Sequence, residues 1–232
     1  MIDFHAHVLP MIDDGAKSVS ESIVMLTDSK KQGVEVCVAT PHVTVHRESS
    51  VSQFIEKRNK SIELLENQIK TINDELPKLL YGAEVFLDND ISLYPDIDKL
   101  CISGSKCMLI ELLTGAFNPR IVEWLYSLNH MGIFPILAHV ERYPYFEEMK
   151  NELSEINVAY QMNSKTVLSF SGKKLLYRLY EANDTVMVSG DMHNMGQRRS
   201  YMKKAYEKVN KRYPDMAERI FKLYAQKLLN IE

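Results

Sequence analysis

Cysteine is scarce: only Cys37, Cys101 and Cys107 occur in the 232 residues. No two form a Cys-x-x-Cys pair, which excludes a zinc ribbon and a thioredoxin-type redox motif. The set is also too sparse for a disulfide scaffold, which suits a reducing compartment. No arginine stands six positions after any of them, where Val43, Cys107 and Leu113 are found instead. A cysteine-based phosphatase loop is therefore excluded. No run of about 18 apolar residues is present, so no stable membrane insertion is expected. The opening Met1-Ile2-Asp3-Phe4-His5 lacks the basic region and long apolar stretch of a signal peptide, and the cytoplasm is the expected location. A basic excess is missing too. Lys and Arg number 28 against 31 Asp and Glu, a net charge of -3. That speaks against a nucleic-acid or anionic-membrane binder and leaves room for a local basic pocket.

What is present is ordinary for a globular chain: 45% hydrophobic and 25% charged residues, enough for a sizeable core and too apolar for wholesale disorder. Seven short apolar runs read as strands, over Met1–Phe4, Val34–Thr40, Leu79–Phe86, Lys106–Leu112, Ile133–Ala138, Ile156–Met162 and Thr185–Ser189. Most are continuously apolar, the pattern of parallel strands covered on both faces. Helical stretches separate them. Ser18 and Glu21 form a capping box ahead of Val19, Ile23 and Leu26, and Gly33 is a stop signal. Val51–Ile72 sets Phe54, Ile55, Ile62, Leu65, Ile69 and Ile72 on one face. Asn118–Met131 starts with Pro119 in its first turn, and Gly172–Ala182, Ser200–Tyr213 and Met216–Leu229 complete the helices. Alternation of this kind indicates an α/β fold. No linker or internal repeat divides it, so a single domain over 1–232 is expected. Seven strands in place of eight indicate an incomplete or distorted (β/α) barrel.

Five of the seven histidines fall at the ends of these runs. His5 and His7 end the first, His42 follows the second, His139 the fifth and His193 the seventh. Acids join them: Glu84 and Glu111 lie late in the third and fourth runs, and Asp191 follows the seventh. Parallel α/β folds build their sites at the C-terminal strand ends, so these residues should converge. Imidazole and carboxylate together suit divalent metals such as Zn, Fe or Mn. The i, i+2 spacings of His5/His7 and Asp191/His193 place both side chains on one side of an extended segment. A lone His at a strand end is usually just packed, and a single Glu can belong to a structural ion pair. Burying Glu84, Glu111 and Asp191 together without partners would be costly, and few basic residues share their strands. Metal binding is the reading that accommodates the whole set.

His46 and His130 stand apart, in a polar segment and near a helix end. Asp13-Asp14-Gly15 reads equally well as a turn or as a ligand source. Arg142, three residues after His139, and the Arg198-Arg199 pair after His193 offer guanidinium groups that could take a phosphate dianion in bidentate fashion. One of the paired arginines is expected to face solvent.

These motifs resemble the PHP (polymerase and histidinol phosphatase) superfamily, in particular its metal-dependent protein-tyrosine phosphatases of bacterial capsule and exopolysaccharide operons. The shared pattern is Met1-Ile2-Asp3-x-His5-x-His7, then Asp13-Asp14-Gly15, Thr40-Pro41-His42, Gly82-Ala83-Glu84, Leu109-Ile110-Glu111, Ile136-Leu137-Ala138-His139-x-Glu141-Arg142-Tyr143, and Ser189-x-Asp191-Met192-His193-Asn194. It spans Met1 to about Met202. The resemblance implies the PHP fold, a distorted seven-stranded TIM-like barrel, and three divalent metal ions. Manganese is the first expectation, with Fe, Zn or Mg as alternatives. One ion would take His5, His7, Glu84 and Asp191. A second would share Glu84 and add Glu111 and His139. The third would take Asp14, His42 and His193. Arg142 and Arg198 match the family's phosphate-binding arginines, and with Asp191 and His193 they make up the expected catalytic set. Leu113–Asn118, the region before Asp191 and the serine-rich stretch after His46 depart from the family pattern, which bears on substrate fit.

The implied activity is hydrolysis of phosphotyrosine by a metal-activated hydroxide, without a covalent intermediate. The absent Cys/Arg loop agrees with that. The implied substrate is the phosphotyrosine-containing tail of a bacterial tyrosine kinase controlling capsular or exopolysaccharide biosynthesis. Two other readings stand beside it: a small-molecule phosphomonoesterase such as a histidinol phosphatase, and a non-catalytic metal-binding PHP module.

Overall fold

A computed structural model describes residues 1–73 and 75–231. In chain order, β1 (Ile2–Ala6) leads to α1 (Val19–Lys31), β2 (Val36–Ala39), β3 (His42–Thr44) and α2 (Glu48–Ile69). Then come β4 (Lys78–Tyr81), β5 (Glu84–Phe86), β6 (Cys107–Glu111), α3 (Arg120–His130) and β7 (Phe134–Leu137). The chain continues through α4 (Phe146–Glu152), β8 (Ala159–Asn163), α5 (Ser164–Val167), α6 (Phe170–Glu181) and β9 (Val186–Ser189). It ends with α7 (Met202–Asn210), α8 (Pro214–Glu218) and α9 (Tyr224–Leu229). The short helices α4 and α5 were not expected. The terminal helix, expected over Met216–Leu229, runs without interruption from Pro214 to Leu229 and winds more widely over Arg219–Leu223.

The strands form two all-parallel sheets, of order β1-β2-β4 and β3-β5-β6-β7-β8-β9. Among the described residues the count is thus nine segments, not seven. Both extra segments come from a break within one apolar run. The second run parts at Thr40-Pro41, where proline has no N–H to donate to a ladder. The third parts at Gly82-Ala83, and a Cβ on Gly82 would lie 2.8 Å from Ile102 Cγ1. After each break the chain enters the other sheet, where His42 pairs with Glu84. Strand ends of the two sheets also meet at a parallel bridge between Ala6 and Met192.

Burial explains the sequence pattern. Ile2, Phe4, Val38, Leu109, Ile136, Ala138, Ala159 and Met187 pack together with Ala225 and Leu229 of α9. In β6 and β8 these side chains lie two residues before Glu111 and Gln161, hence on the same face. An apolar floor so built from both sheets carries the polar strand ends. The other strand faces pack against the helices. α1 is capped by Ser18, whose side chain accepts from the Glu21 amide at 3.2 Å. Glu21 reaches back to the Lys17 amide rather than to Ser18 itself. Among the described residues, no helix is long and apolar enough to cross a membrane.

Candidate metal centre

Of the nine sequence-derived ligand positions, His5 and Glu111 lie at C-terminal strand ends, His7, Asp14, His139, Asp191 and His193 lie in the loops that follow strands, and His42 and Glu84 open β3 and β5 just after the two breaks. The β1 register against β2 shifts between Asp3 and Ala6, an irregularity that re-aims side chains where His5 leaves the strand. The Asp191 amide donates to the His5 carbonyl at 2.8 Å, and the His7 amide to the Met192 carbonyl at 2.9 Å. These two bonds stitch the HxH and DxH segments side by side. His139 and Asp191 both have left-handed backbones, with φ of 34° and 50°, a conformation that costs energy for a non-glycine residue and clusters at functional sites. Two glycines permit the close approach. A Cβ at Gly15 would stand 2.2 Å from the His7 carbonyl oxygen, and one at Gly190 would stand 2.4 Å from Asp3 Oδ2.

Glu84 is the hub. It is fully buried, and its Oε2 lies 3.0 Å from His5 Nε2, 3.1 Å from His7 Nε2 and 3.0 Å from His42 Nδ1. Even so, Oε2 has no partner with hydrogen-bond geometry. His5 Nε2 and His7 Nε2 are 3.0 Å apart, two imidazole nitrogens turned toward each other. His139 Nε2 sits 2.9 Å from Glu84 Oε1 and 3.4 Å from Glu111 Oε1. On the other side, His193 Nε2 and His42 Nε2 lie 3.3 and 3.5 Å from Asp14 Oδ1, and the His7 and His193 rings stack at 3.7 Å. Buried lone pairs facing one another around an orphaned carboxylate oxygen are the arrangement that cations satisfy, so this donor set fits divalent metal ions.

Three subsets bring their donor atoms within 4.8 Å of one another: His7/Asp14/His42/His193, His5/His7/Glu84 and His42/Glu84/Glu111. His7 and His42 therefore each stand between two subsets, a sharing absent from the expected partition.

The ionisation pattern follows the geometry. Burial opposes charge on His5, Asp191 and His193. Against it, Glu84 and Asp191 raise His5 to about 10. Asp191 would be pushed up by burial, yet His5 and His7 hold it at about 2. His193 is lowered to about 3, by burial first and then by His7.

Around the donors runs a layer that sequence reading missed. Asp13, adjacent to the expected ligand Asp14, accepts from His7 Nδ1 at 2.7 Å, the His42 amide at 3.1 Å and the Gly15 amide at 2.9 Å. Burial would raise its pKa, but the His7 hydrogen bond and charge hold it well below the usual carboxylate range. On β8, Gln161 and Asn163 are buried and touch His5, His139 and Asp191. The only local signal for them was an amide pair at i, i+2 in an apolar strand. At the rim, Arg142 donates to Asp191 Oδ2 at 2.7 Å and Arg198 donates to Asp14 Oδ2 at 2.6 Å. Arg199 turns away, toward Asp28 and the Tyr201 ring. His46 lies apart, with Asp88 at 3.7 Å, and His130 stacks near Tyr126.

A family model described as "Capsular polysaccharide synthesis, CpsB/CapC" matches residues 1–230. The tyrosine-protein phosphatase CpsB of Streptococcus pneumoniae is 31% identical, over 92% of this chain and 91% of that protein. The tyrosine-protein phosphatase YwqE of Bacillus subtilis is 30% identical, over 92% and 85%. A crystal structure from a study of YwqE and CpsB, described there as unique metal-dependent tyrosine phosphatases, superposes with a TM-score of 0.78. It is 26% identical and covers 99% of this chain and 94% of that one.

Proposed function

The chain belongs to the CpsB/CapC family of capsular polysaccharide synthesis, and from that premise we propose that it is a metal-dependent protein-tyrosine phosphatase acting on a phosphotyrosine-bearing tail of a tyrosine kinase in the cytoplasm. The observation that carries this reading is Glu84 Oε2, buried without a hydrogen-bond partner amid imidazole nitrogens 3.0 to 3.1 Å away. Three divalent ions, manganese foremost, would be held by His5, His7, Asp14, His42, Glu84, Glu111, His139, Asp191 and His193. When bound, they supply Lewis acidity and make water a usable nucleophile at neutral pH. The residues of the chain do the rest. Arg142 and Arg198 each spend few of their five N–H donors on carboxylates. Both side chains are partly exposed, and their remaining donors would bind the phosphoryl oxygens and stabilise the charge that builds on them. Asp191 and His193, with Oδ1 and Nδ1 3.4 Å apart, complete the catalytic set at the point where both arginines approach. We also read residues 1–232 as one domain and the two sheets as one distorted barrel of seven parallel runs. The breaks at Pro41 and Gly82 and the Ala6–Met192 bridge support that closure.

The test is to strip the protein with a chelator, restore Mn, Fe, Zn or Mg singly, and follow phosphate release from a phosphotyrosyl peptide and from histidinol phosphate. Chelation should abolish turnover of the peptide and thiol alkylation should spare it, because all three cysteines are buried and none is a ligand candidate. Unchanged hydrolysis by His139→Ala or Asp191→Ala would overturn the proposal. A preference for histidinol phosphate would move the substrate to small phosphomonoesters.

A further inference from the structure

Strand β8 contributes no metal-ligand candidate, yet two of its side chains connect three of them. Gln161 Oε1 accepts from the His139 backbone amide at 2.8 Å and lies 3.1 Å from His5 Nδ1. Gln161 Nε2 donates to Asn163 Oδ1 at 2.9 Å. Asn163 Nδ2 in turn donates to Asp191 Oδ2 at 2.7 Å. Residues 161 and 163 alternate by two along an extended strand, which sets their amides side by side. The Asn163 amide N–H is itself held by Glu141 Oε1 at 3.0 Å.

The direction of this chain is forced at both ends. A backbone N–H can only donate, so the atom of Gln161 facing His139 must be the carbonyl oxygen. Its NH2 then faces Asn163, whose oxygen must receive it. The Asn163 NH2 is left for Asp191, whose ionised carboxylate can only accept. The two ends agree, and neither amide is free to flip. The consequence falls on His5: its Nδ1 meets an oxygen that only accepts, so Nδ1 carries the proton. The lone pair of the neutral ring is thereby assigned to Nε2, the nitrogen beside His7 Nε2 and Glu84 Oε2. Asp191 is divided in the same way. Oδ2 is engaged by Asn163 and Arg142, and Oδ1 faces His5 and His193 at 3.6 and 3.4 Å.

We propose that Gln161 and Asn163 are positioning residues that set the tautomer of His5 and select the Asp191 oxygen presented to a metal ion. The proposal rests on the metal-centre reading above. Phosphotyrosine hydrolysis is not its readout, so a protein that binds zinc tightly but hydrolyses nothing would refute that function and leave this proposal standing.

The experiment uses the whole chain loaded with Zn2+ as a diamagnetic probe. Nitrogen-15 NMR of the histidine rings should find His5 protonated at Nδ1, and protonation at Nε2 would overturn the proposal outright. Zinc affinity is then measured by competition with a chromophoric chelator. Gln161→Leu should lose about 10–100-fold, the usual effect of removing an outer partner of a ligating histidine. Gln161→Glu keeps an acceptor for both His5 and His139 but loses the donor to Asn163 Oδ1, and should retain the Nδ1–H tautomer with an affinity between those of Gln161→Leu and the wild type. That rescue would not follow if Gln161 merely filled space. A folded Gln161→Leu that binds zinc like the wild type refutes the assignment. Should that variant fail to fold, Asn163→Ala takes its place. It should weaken zinc binding several-fold, and unchanged binding refutes the role in orienting Asp191.

Discussion

Asp13 and Asp14 are neighbours in sequence and opposites in role. Asp14 reaches into the donor cluster, while Asp13 stands behind His7 and holds its Nδ1. Asp13→Ala should therefore weaken metal binding by about 10–100-fold without removing a ligand, as read by chelator competition. The paired arginines divide similarly. Arg198→Ala should cost about 100-fold in kcat/KM on a phosphotyrosyl peptide, the scale of losing one charged donor at the transition state. Arg199→Ala, whose side chain pairs with Asp28, should stay near the wild-type rate in the same assay. The histidines were legible at this scale because imidazoles at the ends of apolar runs are rare and chemically explicit. Asp13 was hidden inside a triplet that also reads as a turn, and Gln161 and Asn163 were hidden by being neutral. Nothing in a single sequence marks an amide as an outer partner until its neighbours across the sheet are known.

At the scale of elements, the instructive positions are the two strand breaks. Each shifts the chain from one sheet to the other just before a ligand, His42 or Glu84. The second break is pinned by α2: Arg58, nearly buried, donates to the Gly82 carbonyl at 3.0 Å and to the Lys99 carbonyl at 3.1 Å. Arg58→Met keeps the length of the stem and strands both carbonyls, which should cost about 2–6 kcal/mol at roughly 1–3 per orphaned group. Urea denaturation should show a lower midpoint with an unchanged slope. The seven apolar runs were readable from composition, as were the main helices, because burial on both faces leaves a continuous apolar signature. The breaks were not. Proline and glycine inside an apolar run announce a disturbance, but only the neighbouring sheet decides that the strand resumes there.

Across the whole molecule, a chain of net charge -3 concentrates four acids and five histidines of its ligand set in one place. In the metal-free protein, burial works against charge on the imidazoles, but Glu84 and its neighbours raise the proton affinity of His5, His42 and His139. Protons and metals therefore compete. Metal affinity should climb as pH rises from about 6 to about 9, with protons released on binding. Calorimetry in buffers of different ionisation enthalpy measures that release, and a pH-independent affinity would contradict it. The same shift has a stability consequence. A raised folded-state pKa stabilises the metal-free protein fully below the unfolded value and less as pH climbs toward the folded one, about 10 for His5. The drop in Tm caused by chelation should accordingly widen with pH, since bound metal stabilises the native state by mass action.

The sequence by itself determined the α/β class, the family resemblance and the candidate members of the donor set. Those depend on side-chain chemistry and on the local period of burial, and both are written residue by residue. Tertiary structure decided which nitrogen of His5 is protonated, which oxygen of Asp191 faces the cluster, which of two adjacent arginines reaches the rim, and where two strands change sheets. Each of these depends on partners far away in the chain, as His5 and Gln161 are at a separation of 156 residues. Such pairs meet only once strand register has been set by the packing of both sheets around their common apolar floor.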